Sequence, residues 1–191
     1  MKIVQPDPQG IALAVEALRA GEVVLYPTET VYGLAVDPFS PAALRKLMQV
    51  KGRPEDKALL LIVADEHQLG EVAQDIGPRT RLCIERFWPG PLSLILPARP
   101  GLPPEIVGPG NTICARCPGF ETARELAAAF GHPITSTSAN AAGEAAAVSV
   151  EEVTLSGVAV AIDAGKLAHS PPSTIFNAET GQVLRKGAVT P

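Results

Sequence analysis

Ala58-Leu59-Leu60-Leu61-Ile62-Val63-Ala64 is seven apolar residues in a row, of strand length and without the alternation of a strand that has one wet face. Such a run reads as a strand buried on both sides, which belongs in the middle of a sheet. Helical and strand patterns interleave around it. Asp7 and Pro8 precede a helix over Gln9 to Ala20, where Ile11, Val15 and Leu18 recur at helical spacing and Gly21 ends the pattern. Ser40 caps a second helix over Pro41 to Val50, with Leu44, Leu47 and Met48 on one face.

Further helices are expected over His67 to Ile76, Arg79 to Phe87 and Glu121 to Phe130. Strands are expected at Glu22 to Tyr26, Leu92 to Leu96, Thr112 to Cys117, Pro133 to Thr135, Val158 to Ile162 and Ser173 to Asn177, with Val183-Leu184-Arg185 closing the sheet. Pro97 to Gly110 is too rich in proline and glycine for regular structure, and Ala141 to Ala147 reads as a mobile loop over a site. Interleaved elements with several hairpin-length connections predict an α/β fold, a twisted mixed sheet of parallel and antiparallel strands with flanking helices. Length sets the expectation of a single domain over residues 1–191.

The formal net charge of -4 puts no global positive field around the chain, so tight nucleic-acid binding would need a local basic patch. Cys83, Cys114 and Cys117 are an odd set without a disulfide spacing, which predicts a reducing, cytoplasmic setting. Cys114-Ala115-Arg116-Cys117 matches CxxC, yet it lies in a strand pattern without a second pair, so small buried side chains are the expectation over a redox or zinc site. The N-terminus lacks the regions of a signal peptide, and no apolar run reaches the length of a membrane span.

Chemistry concentrates in a few places. Val23 to Ala35 runs from an apolar strand into the hydroxyl cluster of Pro27-Thr28-Glu29-Thr30, and Lys51-Gly52-Arg53-Pro54 follows one helix later. Gly52 and Pro54 favour an extended segment, in which Lys51 and Arg53 point to one side and invite an anion, although a solvated surface pair reads equally well. Ser136-Thr137-Ser138-Ala139-Asn140 follows a short strand; its hydroxyls suit phosphate oxygens, and they suit a turn or helix cap as well. Arg116 sits among apolar neighbours and needs a carboxylate, from a substrate or from Glu29, which could instead orient a magnesium ion. Trp88 reads as a structural plug, the three histidines carry no ligand spacing, and neither GxxxxGK[ST] nor GxGxxG occurs.

Taken together, Tyr-Pro-Thr-Glu-Thr-Val-Tyr-Gly at 26–33, Lys51-Gly-Arg53-Pro54, Arg-Phe-Trp-Pro-Gly-Pro-Leu-Ser at 86–93, Ser-Thr-Ser-Ala-Asn at 136–140 and Pro-Ser-Thr-Ile at 172–175 resemble the YrdC/Sua5 family in order and spacing. The resemblance implies an open-cleft YrdC-like fold and a threonylcarbamoyl-AMP synthase. Such an enzyme turns L-threonine, bicarbonate and ATP, with Mg2+, into threonylcarbamoyl-adenylate and pyrophosphate, for modification of adenosine 37 in tRNAs reading codons that begin with A. It further implies that Lys51, Arg53, Thr112, Ser138, Asn140 and Arg185 hold ATP, Lys51 and Arg53 being the catalytic cations, while Thr28, Arg116 and Ser173 hold threonine. Where longer members have a histidine, Ile62 stands, and the length matches the short bacterial type, whose partners are the downstream tRNA threonylcarbamoyl-transferase proteins. The competing expectation is a factor that binds double-stranded or ribosomal RNA through a basic groove of Arg45, Lys46, Lys51, Arg53, Lys57, Arg79, Arg81 and Arg86.

Overall fold

A computed structural model describes residues 1–52, 58–141, 144–168 and 170–191, and Arg53 and Lys57 lie outside them. The chain opens with strand β1 (Lys2–Val4) and helix α1 (Pro8–Arg19), where the Asp7 carboxylate accepts from Gly10 N at 2.8 Å and Pro8 takes the first turn, which needs no N–H. Strands β2 (Val23–Pro27) and β3 (Tyr32–Ala35) form a tight antiparallel hairpin, followed by α2 (Pro41–Lys51), capped by the Ser40 hydroxyl. Then come β4 (Leu60–Ile62), α3 (Glu66–Val72), α4 (Pro78–Phe87), β5 (Leu92–Pro97), β6 (Thr112–Arg116), α5 (Glu121–Phe130) and β7 (Ile134–Ser138). Strands β8 (Val158–Ile162), β9 (Thr174–Asn177) and β10 (Gln182–Arg185) complete a mixed sheet in the order β1-β8-β2-β3-β7-β4-β6-β5-β9-β10.

The seven-residue apolar run does sit inside the sheet, between β7 and β6, but only Leu60 to Ile62 pair as a strand. Leu59 N turns away from the ladder to Glu105 O, and the donation from Val63 N to Arg116 O is the last rung toward β6. Strand β3 was not expected as an element of its own, because Gly33 and the preceding threonines dilute its pattern. Residues 97–110 are more ordered than their composition suggests: Pro104–Ile106 form a 3-10 turn and the Ile106 side chain is fully buried. Of the expected mobile loop, 142–143 lie outside the described residues, while Ala147 is buried and its carbonyl accepts from Tyr32 N.

Side chains alternate across the sheet, and each face has its own apolar layer. Leu25, Leu34, Leu61, Leu92 and Leu94 face one layer with Leu44 and Leu47 of α2, Leu69 and Val72 of α3 and Ile84 of α4. Val24, Ala35, Ile62, Ile134 and Val160 face the other, against Ile11, Val15 and Leu18 of α1 and Ala123, Leu126 and Phe130 of α5. Helices α1 and α5 pack mainly over β8 and β2 and reach only as far as β4, so the same face of the sheet beyond them is left open as a cleft. Trp88 packs against the first layer and donates from Nε1 to Leu92 O at 2.7 Å, fixing the turn that starts β5, which is the plug expected of it.

The tail after β10 crosses back over residues 172–174: Ala188 N donates to Pro172 O, and the Thr174 hydroxyl bonds Val189 O at 2.5 Å and accepts from Val189 N at 3.2 Å. Gly187 makes this crossing possible, since a Cβ there would stand 2.1 Å from Pro172 O and 2.6 Å from Ser173 C. Gly187→Ala should therefore push the tail off its track and cost about 1–3 kcal/mol, as overpacking against backbone does. Urea unfolding of the purified variant measures it, and an unchanged midpoint would contradict the crossing.

Candidate active site

The open face forms a cleft of about 980 Å³ whose floor is the cleft-facing rows of β6, β4 and β7 and whose walls are the β2–β3 turn on one side and β9–β10 on the other. Thr28, Thr112, Arg116, Ser138, Ser173 and Arg185, all expected from the sequence, line it together. Arg116 ends β6 with only 4% of its side chain exposed, so its charge needs a partner. Glu29 supplies one, Oε1 standing 3.6 Å from Arg116 Nη1, too long for a well-made bond. Both Glu29 oxygens and Arg116 Nε are buried without a hydrogen-bond partner, a deficit of the sort that a bound polar ligand removes.

The β2–β3 turn is fixed from within. Thr28 Oγ1 donates to Val31 O at 2.7 Å and accepts from Thr30 N and Val31 N at 3.2 Å, so the threonine that faces the cleft also locks the turn carrying Glu29. One register step inward, Tyr26 donates from its hydroxyl to Ser136 Oγ at 2.7 Å. Burial pushes the Tyr26 phenol up to about 12, so it stays a donor at any physiological pH.

On the opposite wall Arg185 donates from Nε to Ser173 O at 3.0 Å and from Nη2 to Ser173 Oγ at 2.9 Å. The residue is exposed as a whole although its guanidinium bonds Ser173, and desolvation, with a smaller repulsion from Arg116, draws its pKa down against an opposing pull from Cys114. Two cations thus approach one another at the cleft with hydroxyls between them. Cys114 lies on the floor beneath the two guanidiniums, its thiol pushed up to about 12 by burial, and Cys117 is held at about 11 for the same reason and donates to Ala64 O. Both are free, buried and favoured as neutral thiols, which agrees with the expectation of small buried side chains.

Two sequence expectations change. Lys51 is not in an extended segment: it is the last residue of α2, with Gly52 as a left-handed cap at φ 76. It is 6% exposed, and its ammonium donates to the carbonyls of Ser138 and Asn140 at 2.8 Å each, binding the helix end to the end of β7. Ser136, Thr137 and Ser138 belong to β7 rather than to a turn or cap after it; the turn begins at Asn140, whose Nδ2 donates to Ala141 O and Glu144 O while Oδ1 is buried and unpartnered. Thr112 spends its hydroxyl on Pro109 O at 2.9 Å at the rim. Ile62 is fully buried in the α1–α5 layer, so the cleft position on β4 is Leu60, two residues earlier. Sequence reasoning gave Tyr26 and Ser93 no role in the site; a single hydroxyl set in each of the apolar strands Val23–Pro27 and Leu92–Pro97 was the available signal.

A family model described as telomere recombination, for the Sua5/YciO/YrdC domain, matches residues 16–187. The chain belongs to the Sua5/YciO/YrdC family. Among members of that family, a Sodalis glossinidius protein named threonylcarbamoyl-AMP synthase is 35% identical over 189 residues, covering 97% of this chain and 100% of its own. A Bacillus subtilis protein of the same name is 36% identical and covers 96% of this chain but 55% of its own length. The solved structure of P. abyssi Sua5 complexed with L-threonine superposes with a TM-score of 0.89 at 31% identity, over 97% of this chain and 56% of that one. This chain therefore spans about half the length of the last two. E. coli YciO, at 24% identity and a TM-score of 0.82, shares the fold.

The buried hydroxyl and thiols of the Sua5/YciO/YrdC site predict an alkaline weakness. Tyr26 and Cys114 titrate at about 12 and Cys117 at about 11 when folded, against ordinary values of 10.0, 9.0 and 9.0. The neutral forms are favoured in the fold, so the stability they give is complete below 9.0 and is lost as pH rises through 11 and 12. Urea midpoints should be level below pH 9.0 and fall above it.

Proposed function

We propose that this chain is a threonylcarbamoyl-AMP synthase that uses L-threonine, bicarbonate and ATP and supplies the activated group for tRNA modification at adenosine 37. The observation that carries the reading is Arg116: a buried guanidinium with an unpartnered Nε, at the floor of a cleft whose other polar side chains are hydroxyls, two amides and a second guanidinium. A planar carboxylate matches that fork, and relatives named for this synthase align over nearly the whole chain.

In this reading Arg116 takes the threonine carboxylate, with Thr28 and Ser173 completing the amino-acid subsite, and Arg185, Ser138, Asn140, Thr112, Lys51 and Arg53 serve the nucleotide end. Lys51 would act by holding the Ser138 and Asn140 backbone as well as by its charge. Carbamoylation of the threonine amine leaves a weak oxygen nucleophile. Its attack on the α-phosphorus puts charge on the equatorial oxygens and the departing pyrophosphate, so fixed cations and proximity supply the help and no covalent enzyme intermediate is needed. A recessed cleft limits hydrolysis of the labile adenylate. Magnesium would enter with ATP, ligated mainly by phosphate oxygens, and would neutralise charge on pyrophosphate. Among the described residues no group of three or more His, Cys, Asp or Glu would hold an ion by itself, and the unpartnered Asn140 Oδ1 is an oxygen of the kind the ion takes.

A cytoplasmic setting and delivery to tRNA threonylcarbamoyl-transferase proteins belong to the same proposal; no helix among the described residues is long and apolar enough to cross a membrane. The RNA-binding reading is not favoured. Four of its eight basic residues are engaged within the fold: Lys46 with Glu22, Lys51 with two carbonyls, Arg79 with Glu179 O, and Arg86 stacked on Phe87.

Incubation with threonine, bicarbonate, Mg2+ and ATP should release pyrophosphate and give the adenylate by mass. Release at background level, or release indifferent to omission of threonine, would sink the proposal. Arg116→Lys keeps the charge and loses the fork, and should raise the KM for threonine roughly 10- to 100-fold, the loss of about 1.5–3 kcal/mol from a charge-assisted bond. The KM for ATP should move far less.

A further inference from the structure

Ser93 is the second residue of β5, between Leu92 and Leu94, both of which face the apolar layer with α2, α3 and α4. It is fully buried, and its hydroxyl lies 2.9 Å from Ser173 Oγ. The register that pairs Leu94 with Ala115 brings Ser93 to the level of Arg116, so it stands between the two strands that carry Arg116 and lead into Ser173. It closes the Arg86-to-Ser93 motif, to which the substrate subsites assign no work.

A serine hydroxyl has one hydrogen to give and two lone pairs to receive with. Ser173 Oγ already accepts from Arg185 Nη2 at 2.9 Å. The Ser93 hydrogen, enclosed with no other hydrogen-bond partner among the described residues, must go to Ser173 Oγ or be wasted at the cost of an unsatisfied buried donor. With Ser93 and Arg185 both donating, the lone pairs of Ser173 are used up and its own hydrogen is the valence left for the cleft. We infer that Ser93 is a positioning residue that makes Ser173 an obligate donor, so that Ser173, Arg116 and Arg185 together admit an acceptor end of the substrate, its carboxylate, and turn away its ammonium end. This rests on the proposed amino-acid subsite and adds how that subsite sets the direction in which its ligand lies.

The test is threonine binding by calorimetry and turnover for wild type, Ser93→Ala, Ser93→Cys, Ser173→Ala and the Ser93→Ala/Ser173→Ala pair, with threoninol, which lacks the carboxylate, as competitor. Ser93→Ala frees a lone pair on Ser173, and the Kd and KM for threonine should rise roughly 5- to 10-fold, the size of one hydrogen bond, with the effect on KM rather than kcat. The preference for threonine over threoninol should narrow by a similar factor. Ser93→Cys, a weak donor of similar shape, should fall in between and keeps the test open should the alanine variant not fold. In the Ser173→Ala background Ser93→Ala should change nothing further. A purely structural serine would lower Tm in both backgrounds and leave the threonine-to-threoninol ratio alone. Wild-type affinity and ratio in Ser93→Ala and Ser93→Cys, or an effect that persists without the Ser173 hydroxyl, overturns the inference while leaving the synthase reading standing. Absence of threonine binding by the wild type overturns both.

Discussion

The burial of one guanidinium organises this molecule. Arg116 stands at the end of an interior strand with 4% of its side chain exposed, where a lone charge would cost several kcal/mol or more. The sheet does not repay that by a close ion pair, since Glu29 stays at 3.6 Å and leaves both oxygens unpartnered. The structure instead surrounds the charge with rigid dipoles. The turn carrying Glu29 is locked by Thr28, the phenol of Tyr26 is held by Ser136, and the facing wall is pinned through Arg185 and Ser173. A site arranged in this way is preorganised for a polar ligand at the expense of its own stability, which is the expected trade where binding requires preorganisation.

The two apolar layers explain why the charge can be kept there. One face of the sheet is covered along its length by α2, α3 and α4, while α1 and α5 cover only part of the other. Alternation along β4, β5 and β6 therefore means different things on the two faces: leucine after leucine toward the complete layer, and Leu60, Ser93, Ile95, Cys114 and Arg116 toward the incomplete one. The cleft is the part of a three-layer fold where the third layer is missing.

Much of this was legible in the residues. The helix start at Pro41 followed from capping chemistry and that of α1 comes one residue before the expected Gln9, at Pro8; both caps are in place at Asp7 and Ser40. The apolar run at 58–64 identified the middle of the sheet, though it overstated the strand: Leu59 N turns away to Glu105 O while β6 and β7 run on beyond it, and at the other end β6 stops at Arg116, opposite Ile62. The hairpin strand Tyr32–Ala35 was hidden by a glycine whose lack of a side chain accommodates the Tyr26 ring and Ser136 hydroxyl, each 3.3 Å from where a Cβ would lie. Six expected site residues converge on one cleft, which no local pattern could have shown, since they come from strands far apart in the chain. The error about Lys51 has a plain cause: a glycine after a lysine reads as a break, and here it is a cap that lets the helix run through the lysine and aim it at backbone carbonyls.

The tail that crosses over residues 172–174 makes the C-terminal end a mechanical part of the pocket. A backbone bond joins Ala188 to Pro172 and the Thr174 hydroxyl bonds the Val189 backbone, while two residues before Gly187 the Arg185 side chain grips Ser173. Tension applied to that end would pass through these bonds to the Ser173 hydroxyl on the cleft wall. The tail is a tether, and a load on it would loosen or tighten that wall of the cleft without touching it.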